Sequence, residues 1–275
     1  MSLIHALRRL PVLPLAASLA LLAPLCGHAQ TTTASGWTLT GTAGVVSDYL
    51  FRGVSQTQGK PAAQLTFDAT HRDGWFAGLF GSGVSNAAYP NGSGTEIDLY
   101  GGWRTELSPG VGLELGFISY WFPGAFTRDA DGKHVSYDTQ ELHAAVSHGA
   151  ASAGIWHAVS SHWSGFAVDP YSGANKSSRG STYIEANWNP EIAPGWTLNL
   201  HAGRQIVKNF AAYNFTDVKV GVSRVEGPWT FSLAGSHNTG DAKKGDTALW
   251  TFFDANGRGR NVVGTRWVAS VTRSF

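Results

Sequence analysis

The chain carries one cysteine, Cys26, and one methionine, Met1, and both lie within its first thirty residues. Beyond that point no disulfide, thiolate metal site or redox motif can form. Charge is scarce as well: 14% of residues are Asp, Glu, Lys or Arg, against about a quarter in an ordinary soluble domain. Neither sign dominates. Once Arg8 and Arg9 are set aside, the basic residues fall just below the 19 acidic ones, so there is no basic footprint for nucleic acid. After Gln30 the sequence has no apolar run of about eighteen residues, the minimum for a helical membrane span.

The first thirty residues differ from the rest. Arg8 and Arg9 precede an apolar stretch, Leu10 to Leu25, and Gly27-His28-Ala29 places small residues at −3 and −1 of a cleavage site. This pattern predicts an export signal over 1–29 and a mature domain over 30–275. Pro11, Pro14 and Pro24 interrupt the stretch and argue against a retained anchor. Ala23-Pro24-Leu25 before Cys26 departs from the Leu-Ala-Gly pattern of lipoprotein signals.

What the mature chain has is glycine, aromatics and a period of two. There are 34 Gly, 11 Trp, 14 Phe and 8 Tyr in all. Ala63, Leu65, Phe67 and Ala69 alternate with Gln64, Thr66, Asp68 and Thr70; Ile97, Leu99 and Trp103 alternate with Glu96, Asp98 and Arg104; Val218, Val220 and Val222 alternate with Asp217, Lys219 and Gly221. Such alternation over a tilted strand of about ten residues is the mark of a membrane-crossing β-strand, apolar toward lipid and polar toward the lumen. Similar segments start near 37, 111, 141, 183, 196, 229 and 263. Two more, Gly74–Val84 and Ala150–Ser160, are small or apolar on both faces, and their facing stays open.

Connections alternate in length. Tight turns at 72–74, 108–110, 148–149 and 226–228, and a slightly longer one at 190–195, separate polar stretches near 48–60, 86–94, 122–134, 161–179, 207–214 and 238–261. The expected fold is therefore all-β: a closed antiparallel transmembrane β-barrel of about twelve strands, both termini periplasmic, in a bacterial cell outer membrane. The alternative, a soluble barrel or sandwich, would aggregate with outward faces this apolar. Two aromatic girdles are expected at the membrane interfaces. Trp37, Trp75, Trp103, Trp188, Trp196, Trp229 and Phe275 fall near the short turns; Tyr49, Phe51, Tyr120, Trp121, Phe122, Tyr137, Tyr213 and Phe215 fall near the long loops. The chain ends in Phe275 after alternating Trp267, Ala269 and Val271, similar to the C-terminal insertion signal read by the barrel assembly machinery, with Arg273 where an apolar residue is usual.

Two stretches, SDYLFRGVSQT over Ser47–Thr57 and EIDLYGGW over Glu96–Trp103, resemble the TorF family of porin-type outer-membrane proteins of Gram-negative bacteria, and GLFGSGVSN over Gly78–Asn86 fits loosely. The resemblance extends through the mature chain, with its specific motifs in the first third. It implies a barrel and passive transport, and supplies no substrate.

The candidate pore lining, taken from the strand registers, is Asp68, Glu96, Asp98, Arg104, Glu114, Glu141, His143, Glu185, His201, Asp217, Lys219 and Arg266. The acids outnumber the bases, which points to a mildly cation-preferring lumen, since rings of carboxylate select cations. Ion-pair ladders that merely brace the wall are the other reading, and Asp217 with Lys219 is one such candidate pair. Asp48, Tyr49 and Arg52 form a rim motif; Arg52 either lines a constriction or, with Asp48, stabilises its loop. The leading expectation is a channel for passive diffusion of small polar solutes or ions, with no cofactor, set among outer-membrane lipids and lipopolysaccharide. An outer-membrane hydrolase is the runner-up, with Ser160, Ser161, His162 and Ser164 supplying residue types but no diagnostic spacing. A structural or surface-binding barrel with a plugged lumen is third. Lys243, Lys244, Arg258 and Arg260 read as solvated loop charge, with lipopolysaccharide phosphates as an alternative partner.

Overall fold

A computed structural model describes residues 31–275; the expected export signal lies outside the described residues. Twelve long strands run in chain order: β1 (Trp37–Val46), β2 (Ala62–His71), β3 (Trp75–Gly83), β4 (Thr95–Ser108), β5 (Val111–Trp121), β6 (Thr139–His148), β7 (Ala151–Ala158), β8 (Thr182–Trp188), β9 (Trp196–Ile206), β10 (Phe215–Glu226), β11 (Trp229–Asn238) and β12 (Gly264–Ser274). Each pairs antiparallel with its chain neighbours, and β1 pairs with both β2 and β12, so the sheet closes. The one helical turn among the described residues is Ala211–Tyr213, and no helix there is long and apolar enough to cross a membrane.

Alternation gives the wall its two faces. Leu39, Leu65, Phe67, Leu99, Phe117, Val220 and Leu233 are exposed on the outside, an apolar belt suited to hydrocarbon and far too extensive for water. The two segments of open facing are decided by their neighbours' register. Trp75 and Leu79 point out while Phe76 and Phe80 are buried inside; Ile155 points out and Trp156 in. Their sequences could not reveal this, because both faces are small or apolar.

The short turns and both described ends of the barrel wall share one end of the barrel, where Trp75, Trp188, Trp196 and Trp229 project outward. At the long-loop end the expected girdle is corrected. Tyr49, Tyr120, Phe122 and Phe215 are 2%, 3%, 6% and 1% exposed, and Phe51, Tyr137 and Tyr213 pack against them or their neighbours. They belong to the interior of the mouth, not to a lipid-facing ring. Parity explains Tyr120, which shares the inward face of β5 with Glu114, whereas Trp121 beside it points out and is 45% exposed.

The closing seam depends on the last residue. β12 pairs with β1 from Thr42↔Ser274 to Val46↔Ser270, and Phe275 extends the ladder by exchanging backbone bonds with Gly41 (2.9 and 3.0 Å). The Phe275 ring covers Gly41 so closely that a Cβ there would lie 2.5 Å from the ring, and it meets Phe67 edge to face at 6.0 Å. A sheet closed in lipid tolerates no unpaired edge, so this seat has a structural consequence. Gly41→Leu should displace the ring and weaken the seam by about 1–3 kcal/mol, as over-packing does. The loss is expected as a lower temperature for the heat-induced mobility shift on gels, with Gly83→Ala, where the nearest atom would lie 4.0 Å away, as the control; equal shifts would refute the seam's role.

Candidate functional site

The motif stretch after β1 forms a small hairpin. Leu50 pairs with Ser55 and Phe51 with Val54, leaving Arg52 and Gly53 as a two-residue tip with φ of 51° and 74°. Hairpin turns of this kind need positive φ at both central residues. Glycine adopts it freely, whereas an arginine held there costs on the order of 1 kcal/mol and persists only when its surroundings over-determine it. Asp48 braces the hairpin's base: it accepts from Ser55 Oγ (2.5 Å), Thr57 Oγ1 (2.8 Å) and the Gly59 amide (3.2 Å), with Arg266 Nη1 at 3.4 Å.

The hairpin points inward, a finger crossing the barrel. Arg52 is 1% exposed. Its Nη1 and Nη2 donate to the two oxygens of Glu141 on β6 at 3.0 and 2.6 Å, and Nη1 also donates to Gln205 Oε1 on β9 at 2.8 Å. Asn238 on β11 donates to the Arg52 carbonyl at 3.0 Å, and the guanidinium lies 4.3 Å from the Tyr183 ring centre. A finger rooted after β1 is thus tied to walls far around the barrel. Glu141 also accepts from Tyr120 Oη (3.3 Å) and from Trp163 Nε1 (3.0 Å), the latter reaching in from the β7–β8 loop. Bidentate arginine–carboxylate contact with every remaining lone pair occupied is the arrangement under which a buried ion pair holds; removing one partner strands the other at a cost of about 3–5 kcal/mol.

The other residues expected in the lumen point into it. Arg104 contacts Glu114 and sits 4.1 Å from the Phe76 ring centre. His143 lies 3.4 Å from Glu114 and stacks on Trp156 at 3.8 Å. Tyr100 donates to Asp68 (2.6 Å) and Trp156 Nε1 to Glu185 (3.1 Å). Asp217 does not pair with Lys219 as its neighbour on the strand face; it accepts from Tyr183 Oη (2.9 Å) and meets His201 Nε2 at 3.0 Å. Lys219 has no carboxylate within 4.0 Å among the described residues. Tyr49 Oη donates to Glu96 at 3.2 Å. The second Glu96 oxygen and Asp98 Oδ1 are buried without a hydrogen-bond partner, and among the described residues no cation forms an ion pair with either.

Ser160 Oγ donates to the His162 carbonyl at 3.0 Å rather than to its ring, and partial burial lowers the pKa of His162. Further along that loop Lys176 and the amides of Ser172 and Tyr171 hold the Asp169 carboxyl below the usual carboxylate range. Gln205, Asn238 and Trp163 carry the finger's contacts yet were not among the candidates. Parity already placed Gln205 on the inward face of β9, but Trp163 sits in a long loop with no local signal.

Above the finger the loops enclose a cavity of about 260 Å³ walled by Tyr89, Tyr120, Phe122, Trp163, Phe166 and Trp250, among others. The loop between β11 and β12 folds over the mouth: Leu249, Trp250, Val262 and Val263 are buried, and the Val262 carbonyl accepts from the Ser55 amide of the finger (2.8 Å).

Residues 30–275 match the family described as bacterial protein of unknown function (Gcw_chp). The chain belongs to the Gcw_chp family. That match carries no TorF name, so the porin-type resemblance of Ser47–Thr57 and Glu96–Trp103 stays a resemblance. No curated protein sequence matches the chain. Among solved structures the NanC porin superposes with a TM-score of 0.54 at 11% identity, over 86% of this chain and 98% of that one. The KdgM porin gives 0.49 at 8% identity over 86% and 99%. The outer membrane protein OprD from Pseudomonas aeruginosa gives 0.40 at 14% over 90% and 66%. The likeness to NanC is one of fold: this member of the Gcw_chp family has the closed, apolar-skinned barrel of an outer-membrane protein.

The finger's tip generates a test. A Cβ on Gly53 would lie 2.8 Å from Asp217 Cβ at a φ of +74°, a double conflict costing about 1–3 kcal/mol. Gly53→Val should undock the finger, so that trypsin in detergent cleaves after Arg52 much faster than in the unaltered protein while the barrel keeps its heat-modifiable mobility. Unchanged cleavage would show that the tip does not hold the finger.

Proposed function

We propose that this protein is a passive outer-membrane channel for small polar solutes, with its long loops facing the medium and its termini the periplasm, and that the finger over residues 47–61 sets the passage. The observation that carries this reading is Arg52 on Glu141: an inward-folded loop, locked at its tip to the wall, narrows the lumen from within. The porin fold of NanC and the TorF-type motif, which coincides with the finger, support it. A constriction built from charged side chains discriminates by charge as well as by size.

The lumen's charge balance supports a preference for cations. Among the described residues Arg52, Arg104 and Arg266 are each ion-paired with a carboxylate, Lys219 feels Glu185 and Asp217 at longer range, and Glu96 and Asp98 have no ion-pair partner. The exposed Lys243, Lys244 and Arg258 lie on the long-loop end, where they suit lipopolysaccharide phosphates.

Planar-bilayer recording of the purified protein tests the channel. Discrete steps with a cation-biased reversal potential are expected. Arg52→Ala should raise unit conductance about two- to threefold by freeing the finger, and charge reversal at Glu96 and Asp98 should move selectivity toward anions. The close fit of the finger also favours a second reading, a plugged structural barrel. Silence in both the unaltered protein and Arg52→Ala would establish that one and end the channel proposal.

A further inference from the structure

The apolar outer wall is broken by a basic row on one side of the barrel. Arg204 on β9 shares the outward face with Ile184, its partner on β8, and both are exposed. Its Nη1 donates to Thr216 Oγ1 on β10 at 3.1 Å. The arrangement repeats two strands to either side. His157 Nδ1 on β7 meets Thr182 Oγ1 on β8 at 3.0 Å, and His237 Nδ1 on β11 meets Thr265 Oγ1 on β12 at 2.8 Å. Each exposed basic side chain leans on a threonine of the next strand. Arg204 and His237 also share a height. Each lies eight residues along its strand from an outward tryptophan of the short-turn end, Trp196 or Trp229. At about 3.3 Å per residue and a tilt of about 40°, that is a rise of about 20 Å, near the far border of an apolar band about 25 Å tall. The same rank holds Val45 on β1, eight past Trp37, and Gly83 on β3, eight past Trp75. Among the described residues the acid on the outward face of β7–β12 is Glu226, at the short-turn end, where it pairs with Arg224 at 2.8 Å. Arg204 has only a neutral hydroxyl. An arginine without a carboxylate on a lipid-facing wall is costly in hydrocarbon and well placed among headgroups.

We propose that this row binds lipopolysaccharide, the phosphorylated glycolipid of the outer leaflet, with a phosphate on Arg204. The planar guanidinium matches a phosphate through paired charge-assisted hydrogen bonds. His157 and His237 stand two strand spacings away on either side, about 10 Å each, and their second ring nitrogens carry no hydrogen bond among the described residues. Donors spread this widely suit two phosphates held apart on a disaccharide better than the single phosphate of a phospholipid headgroup. Lys208, exposed two residues beyond the end of β9 with its amide on Ser181 Oγ at 3.0 Å, carries positive charge on above the row. The site rests on the orientation proposed above, long loops outward, and is independent of conduction.

Native mass spectrometry of the purified protein in detergent, titrated with bisphosphorylated lipid A, its monophosphorylated form and phosphatidylglycerol, tests the site. Bisphosphorylated lipid A should bind about tenfold more tightly than phosphatidylglycerol, with the monophosphorylated form between them. Arg204→Gln should weaken lipid A about tenfold, whereas Arg224→Gln, the same change on the outward face at the other end, should leave it unchanged. Equal binding of lipid A and phosphatidylglycerol, no binding of lipid A, or equal losses in the two variants each overturn the proposal. The lipid comparison in the unaltered protein decides the matter even where a variant fails to fold. Orientation is read separately, from labelling of Lys243→Cys on intact cells by a maleimide-bearing polymer too large to cross the outer membrane. Labelling supports the orientation, so that a failure of lipid A then falls on the site alone; no labelling overturns both, because the row would then face the inner leaflet.

Discussion

A peptide group facing hydrocarbon must find its hydrogen-bond partner within the protein, and every feature of this molecule follows from meeting that demand with strands. Strands can meet it only if the sheet has no edge, so the first and last must join. Here they do so through a short ladder completed by the terminal residue, whose amide and carbonyl bond Gly41 and whose ring occupies the space left by that residue's missing side chain. Aromatic cover over a strand glycine keeps apolar contact where a side chain would block the close approach. The seam is thus the condition for the barrel.

Closure creates an interior that alternation makes polar, and polar groups withdrawn from water need partners of their own. Much of the lumen answers this across neighbouring strands, as in Arg104 with Glu114 or Tyr100 with Asp68. Glu141 is answered from a distance. It receives Arg52 from the first loop, Trp163 from the fourth and Tyr120 from the wall, so that two long loops are pinned to one carboxylate. A left-handed arginine at the finger's tip is tolerable because these bonds outweigh its backbone cost. The same withdrawal leaves Glu96 and Asp98 without such an answer.

The strands were legible because a period of two has few competing meanings over ten residues. The inward positions of Glu96, Asp98, Glu141 and Asp217 followed from parity alone. Legibility failed wherever parity was silent. Phe76 and Trp156 lie in segments with no polar face, and only pairing with β2 and β6 places them inside. Tyr49, Phe122 and Phe215 were expected at the lipid interface because they sit at the right height; an aromatic at that height suits a lipid headgroup or a folded loop equally well, and only the loops' packing distinguishes the two.

By itself the sequence determined the class of the molecule: a strand-built barrel wall, its twelve crossings, its alternating short and long connections, and the face to which most wall residues belong. These are local properties, set by side-chain period and turn chemistry within a few residues of one another. The tertiary structure alone decided what fills the barrel. That Arg52 meets Glu141 and Gln205, or that Trp250 and Glu96 share a cavity, depends on where loops distant in the chain come to rest, and such contacts leave no period in the sequence because the residues that make them are separated by 89 positions or more.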